Sequence, residues 1–220
     1  IVAMLFGKLN WEILIYLVLT IASMLTGYLD DASKNPWGEF KKGALDLLIA
    51  CLVAGTYLAF NGSEIFINIL GESISLNPIV FFILAVILVW VSINVTNCTD
   101  GVDGLSGTLS VITLFTIYLL ESVKGTNSAI NYITLILIVC VLAYLWFNAT
   151  PSKLMMGDAG SRALGIFISI AILKTGSPLL YIPVALMLII DGGLGLIKIS
   201  FRRFLKIEIL NNIRTPIHDQ

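Results

Sequence analysis

Carboxylates are scarce in this chain, yet they cluster: Asp30-Asp31, then Asp100 and Asp103 within Asp100-Gly-Val-Asp103, then Asp158 within Gly157-Asp158-Ala-Gly-Ser161. The surroundings are 58% hydrophobic residues and 12% charged ones. A charge at a bilayer centre costs on the order of 2.5–3.5 kcal/mol, so acids near membrane depth point to function. Acids gathered at one place suit a hard divalent cation. Mg²⁺ in particular takes one or two carboxylates, keeps several waters and completes its shell with substrate phosphate oxygens.

Each acid also has a plain structural reading. Asp30 and Asp31 end an apolar run, where water is at hand. Asp100 before Gly101 is a ready N-cap, although that role leaves Asn94, Asn97 and Asp103 in the same short stretch unexplained. Two glycines and several polar residues interrupt the apolar run there, and broken backbone at a membrane edge usually lines a cavity. The glycines around Asp158 permit a tight loop, whose amides would meet an anion at the start of the next helix. Lys34, Lys153 and Arg162 stand near these acids in sequence. They would hold phosphate charge, or equally serve topology and anionic lipid.

The elements that must position these residues are membrane helices. A crossing needs roughly 20 apolar residues, and seven stretches qualify or nearly do: 12–29, 43–60, 77–97, 102–121, 129–148, 163–175 and 178–199. The sixth is short and depends on its neighbours for burial. The runs are continuous, without the alternation of a barrel wall, and the mean hydropathy is +0.97. The expected fold is an all-α polytopic membrane helical bundle of about seven crossings, with residues 1–220 as a single integral membrane domain. The chain opens at Ile1 on an apolar segment, which reads as the end of an earlier helix and so as a piece of a longer protein.

Counting crossings from a cytoplasmic 30–42 loop puts ten cations inside, among them Lys34, Lys41, Lys42, Lys153 and Arg162. Only Lys8, Lys124 and Lys174 fall outside. That asymmetry follows the positive-inside rule, and the same parity brings all three acidic stretches to the cytoplasmic boundary. Cys51, Cys98 and Cys140 have no paired spacing and suggest neither a disulfide framework nor a zinc site.

Asn94-Val-Thr-Asn-Cys-Thr-Asp-Gly-Val-Asp-Gly-Leu105 and Phe147-Asn-Ala-Thr-Pro-Ser-Lys-Leu-Met-Met-Gly-Asp-Ala-Gly-Ser-Arg-Ala-Leu-Gly165 resemble signatures of the polyprenyl-phosphate N-acetylhexosamine-1-phosphate transferases. Gly27-Tyr-Leu-Asp-Asp31 is similar to their paired aspartates, and Pro216-Ile-His218 to the start of their histidine motif. Thr99 and the Pro-Ile-His form resemble the phospho-N-acetylmuramoyl-pentapeptide transferase branch more than the GlcNAc-1-phosphate branch. The resemblance spans roughly residues 15–220.

It implies Mg²⁺-dependent transfer of phospho-MurNAc-pentapeptide from UDP-MurNAc-pentapeptide to undecaprenyl phosphate, giving lipid I and UMP. The setting would be the cytoplasmic face of a bacterial plasma membrane, in contact with membrane lipid, as a homodimer and without nucleic acid. By the resemblance Asp30 would accept the proton of the lipid phosphate, Asp31 would lie at the metal and phosphates, and Asp158 would be the principal metal ligand. Asn97, Asp100, Asp103 and Asn148 would line the nucleotide site, Gly101 would allow close approach of the base, and Lys34 would lie near the phosphates. Two departures stand out. His218-Asp219-Gln220 replaces three histidines, and Met155 stands where a phenylalanine commonly covers the uracil.

Two other readings stay open: the GlcNAc-1-phosphate transferase, and an ion-coupled transporter, for which Asp191 with Gly192-Gly193 would mark a discontinuous helix.

Overall fold

A computed structural model of the chain describes residues 10–35, 37–67, 71–125 and 128–200. Six long helices come first: α1 (Trp11–Asp31), α2 (Glu39–Asn61), α3 (Pro78–Cys98), α4 (Leu105–Val123), α5 (Ala129–Asn148) and α6 (Gly157–Lys174). Their starts follow local rules. Asn10, Asn77 and Ser128 each turn a side-chain oxygen onto an amide of the first turn, and Pro78 sits where its missing N–H costs nothing.

Of these helices, α1 to α5 are long and apolar enough to cross a membrane. The all-α membrane bundle expected from the sequence is thus the observed architecture. α1 shows the packing logic. Its buried residues, Glu12 and Ile13, then Tyr16, Leu19, Ser23, Gly27 and Asp30, recur every three or four positions and are polar or small toward the site end. Its exposed face carries Val18, Ile21, Leu25 and Leu29. With lipid as solvent there is little hydrophobic drive between helices, so small and polar residues take the interfaces.

α6 lies at the centre, packed chiefly against α1 and α3. Every residue from Leu164 to Leu173 is buried. It begins at Gly157, six residues before the apolar run read from sequence, because neighbouring helices satisfy its polar first turns. The expected seventh crossing is broken. Pro178–Val184 and Leu186–Lys198 meet at 68°. Pro183 lacks an amide hydrogen for the ladder, and a π-turn at Ile189–Gly193 follows.

Between α2 and α3 lies a short antiparallel hairpin, β1 (Glu64–Ile67) with β2 (Glu72–Ser75), pairing Glu64 with Ser75 and Ile67 with Glu72. No strand is expected here from the sequence, since two four-residue strands carry too little pattern to see. At this end of the bundle Lys174 Nζ donates to both Glu12 oxygens at 3.0 Å and to Asn61 Oδ1 at 2.7 Å, joining α1, α2 and α6.

Candidate active site

At the opposite end of the same three helices, Asp30, Asp31 and Asp158 converge. One carboxylate oxygen from each lies within 4.8 Å of the others. Gly27 makes the approach possible, because a Cβ there would stand 2.4 Å from the Asp158 carbonyl oxygen. Gly157 turns the chain into α6 at φ +64°, a conformation that favours glycine. The Asp158 amide then donates to Asp31 Oδ2 at 2.9 Å.

Asp158 is held from a third helix. Asn97, in the last turn of α3, donates through Nδ2 to Asp158 Oδ1 at 2.9 Å and to Ser161 Oγ at 3.0 Å. Asp30 is buried. Its Oδ1 accepts from the Trp37 amide at 2.8 Å, and its Oδ2 is ion-paired with Lys42. Lys42 also stands 3.7 Å from Asp158 Oδ2.

Of the remaining predicted site residues, Asp100 interacts with the cluster, while Asp103 and Asn148 tie two adjoining loops together. Burial, reinforced by the Asp158 and Asp31 carboxylates, pushes Asp100 up to about 6, against a backbone hydrogen bond from Gly157. Asp103 Oδ2 accepts from the Ser152 amide at 3.0 Å, and Asn148 Oδ1 from the Gly104 amide at 2.9 Å. Asn148 Nδ2 also reaches the Leu154 carbonyl at 2.9 Å. Asp103 and Asn148 therefore clamp the α3–α4 loop onto the α5–α6 loop. Gly101 is exposed in the first of these loops. Met155 is 82% exposed in the second. Lys34 is exposed in the α1–α2 loop, and His218 lies outside the described residues.

Sequence reasoning misses the roles of three side chains: Lys42 reads only as a cytoplasmic cation, Arg162 as a phosphate holder or a topology charge, and Asp46 does not stand out inside an apolar run. In the structure Arg162 is 3% exposed and Asp46 1%, and Arg162 Nη1 donates to Asp46 Oδ1 at 3.0 Å. Lys42 and Asp46 are four apart, hence on one face of α2, the one signal that would have found them. Lys42, Asn94, Asp158 and Arg162 edge a cavity of about 960 Å³ whose walls include Phe40, Leu47, Trp90 and Leu196. A polar rim beside an apolar chamber of this size suits an amphiphilic ligand.

The donor set fits a hard divalent cation. Three carboxylates converge with no histidine or thiolate among them, as oxygen-preferring Mg²⁺ requires. Lys42 pairs with Asp30 and Asn97 donates to Asp158, so two of the three are held in place.

A bundle of apolar helices, five of them long enough to span a bilayer, with carboxylates gathered at one end, defines an integral membrane protein. The chain belongs to glycosyl transferase family 4, whose pattern matches residues 13–176. It is 38% identical over 221 residues to the phospho-N-acetylmuramoyl-pentapeptide-transferase of Treponema pallidum (strain Nichols), covering 92% of this chain and 61% of that protein. Proteins of the same name from Tropheryma whipplei (strain Twist) and Borreliella burgdorferi (strain ZS7) are 32% identical over 78 residues and 36% identical over 75. They align with 36% and 34% of this chain and with 21% of each relative. The chain thus spans about 61% of the length of the Treponema relative.

Proposed function

We propose that the protein transfers phospho-MurNAc-pentapeptide from its UDP-activated form to undecaprenyl phosphate, releasing UMP and forming lipid I at the cytoplasmic face of a bacterial plasma membrane. The observation that carries this reading is the Asp30–Asp31–Asp158 cluster opening beside an apolar chamber edged by Lys42. An aqueous nucleotide and a lipid phosphate meet only at such a boundary. The name borne by the Treponema relative, phospho-N-acetylmuramoyl-pentapeptide-transferase, supports the sugar-peptide.

In this reading an oxygen of the lipid phosphate attacks the sugar-linked phosphorus of the UDP-sugar. A new P–O bond forms to that phosphorus, the bond to the bridging oxygen breaks, and its electron pair leaves with UMP. Asp158 and Asp31 would hold Mg²⁺ with Asp30 beside them, and its charge when bound would offset that of the pyrophosphate. The chain's own groups do the positioning. Lys42 meets the lipid phosphate at the chamber mouth while the polyprenyl tail lies along Phe40, Leu47 and Trp90. Family position assigns proton acceptance to Asp30, but the hydrogen bonds favour Asp31. Both Asp30 oxygens are engaged, by Trp37 and Lys42, whereas Asp31 is exposed and accepts the Asp158 amide through one oxygen. Asp103 and Asn148 keep the nucleotide-side loops together.

The test is UMP release by the full-length protein offered UDP-MurNAc-pentapeptide or UDP-GlcNAc, with undecaprenyl phosphate and Mg²⁺. Turnover of the first alone, lost in EDTA and in Asp158→Asn, is expected. Full activity in EDTA would remove the metal from the reading, and turnover of UDP-GlcNAc alone would change the substrate.

A further inference from the structure

Beside Asp158 lies a charge pair to which the proposed transfer assigns no role. Arg162 and Asp46 are 3% and 1% exposed and hydrogen-bonded to each other at 3.0 Å. Burying two charges is a poor way to stabilise a bundle, because the loss of hydration often exceeds their attraction, and apolar packing of similar volume does as well or better. The placement of the pair is more informative than its stability. Arg162 stands one turn beyond Asp158 on α6, with Nε 3.6 Å from Asp158 Oδ2. That Nε is buried and makes no hydrogen bond. Asp46 comes from α2, accepts from Nη1 of the same guanidinium, and is not a member of the Asp30–Asp31–Asp158 group. Of the two, Arg162 is the one paired with Asp158, through Nε.

We propose that Arg162 and Asp46 form a built-in counter-charge that sets how tightly the acid cluster holds a divalent cation. The inference rests on the reading of that cluster as a cation site. Three carboxylates this close repel one another and would bind a divalent ion tightly. The guanidinium, 3.6 Å from Asp158 Oδ2, offsets part of that negative field and weakens the hold. Asp46 limits the offset by pairing with the same guanidinium. At such separations, inside a medium of low effective dielectric, one unit charge changes a neighbour's ion affinity by severalfold or more. Arg162 is a positioning and tuning residue here, because it reaches the ion only through Asp158.

The scheme predicts opposite signs for two related variants. Asp46→Asn, close to isosteric, leaves Arg162 with its full charge and should weaken cation binding at least threefold. Asp46→Asn combined with Arg162→Gln replaces the pair by a neutral hydrogen-bonded one and should tighten binding at least threefold relative to wild type. Arg162→Lys, which keeps the charge, should stay within about twofold. The measurement is the Mn²⁺ dissociation constant of the full-length protein in detergent, by electron paramagnetic resonance, with thermal unfolding as the control for integrity. Structural damage alone would weaken binding in every variant. If the two variants shift in the same direction, or neither shifts, the counter-charge is refuted while the cation site stands. Should the double variant not fold, unchanged or tighter binding in Asp46→Asn alone refutes it equally. If wild type shows no Mn²⁺ binding that Asp158→Asn removes, the cation site itself is wrong and the counter-charge falls with it.

Discussion

Replacing Gly27 by alanine tests whether helix contact sets the geometry of the acid cluster. The added Cβ would stand 2.4 Å from the Asp158 carbonyl oxygen, 2.5 Å from its carbonyl carbon and 2.6 Å from the Ala159 nitrogen, all backbone atoms that no rotamer change can move. Ordinary contact begins near 3.4 Å, so α1 and α6 must separate by about 1 Å. Asp30 and Asp31 lie at the end of one helix and Asp158 at the start of the other, so the same displacement passes into the cluster. Overpacking of this kind costs typically 1–3 kcal/mol in stability, and a misplacement of about 1 Å can cost on the order of 100-fold in rate. Gly27→Ala should therefore insert and fold with a lowered Tm, and its kcat for lipid I formation should fall about 100-fold with a much smaller change in KM for the UDP-sugar. Gly55→Ala is the control. Its Cβ would meet only Phe82, at 3.9 Å, and alanine favours a helix interior. Wild-type kcat in a folded Gly27→Ala protein would show that this contact does not set the cluster.

Lys42→Met should cut turnover by at least 100-fold through loss of the lipid phosphate contact, as radiolabelled lipid I assays would show, and activity within tenfold of wild type would refute that role. At the far end, Lys174→Met leaves Glu12 buried without its cation and should destabilise by about 3 kcal/mol; Glu12→Gln in the same protein should restore most of the Tm. Asp100, raised to about 6 by burial and neighbouring carboxylates, favours its protonated form in the folded state. Its contribution to stability is present below about pH 4 and lost as pH rises through about 6. The Tm of the metal-free wild type should accordingly fall more between pH 4 and 7 than that of Asp100→Asn, and parallel profiles would contradict the assignment.

The sequence by itself determined the membrane bundle, because a 30 Å apolar slab demands runs that composition displays openly. It also marked Asp30, Asp31 and Asp158, since acids are conspicuous against such a background, and the structure brings those three together. Only the tertiary structure decided which cations matter. Lys34 and Lys42 look alike as loop-side lysines, but the turn at Trp37 and the direction of α2 bring Lys42 to Asp30 and leave Lys34 exposed. From sequence Arg162 reads equally as a phosphate holder or a topology charge; α2 supplies Asp46 and makes it a buried, paired group. The start of α6 was hidden for a related reason. A hydropathy window assumes lipid around the helix, whereas α6 is enclosed by other helices, and its polar first turn is satisfied by Asn97 and Asp31 from α3 and α1. Spacing along the chain reveals what each helix needs from its solvent, but which side chains complete one another across helices depends on packing, and packing is a property of the assembled bundle.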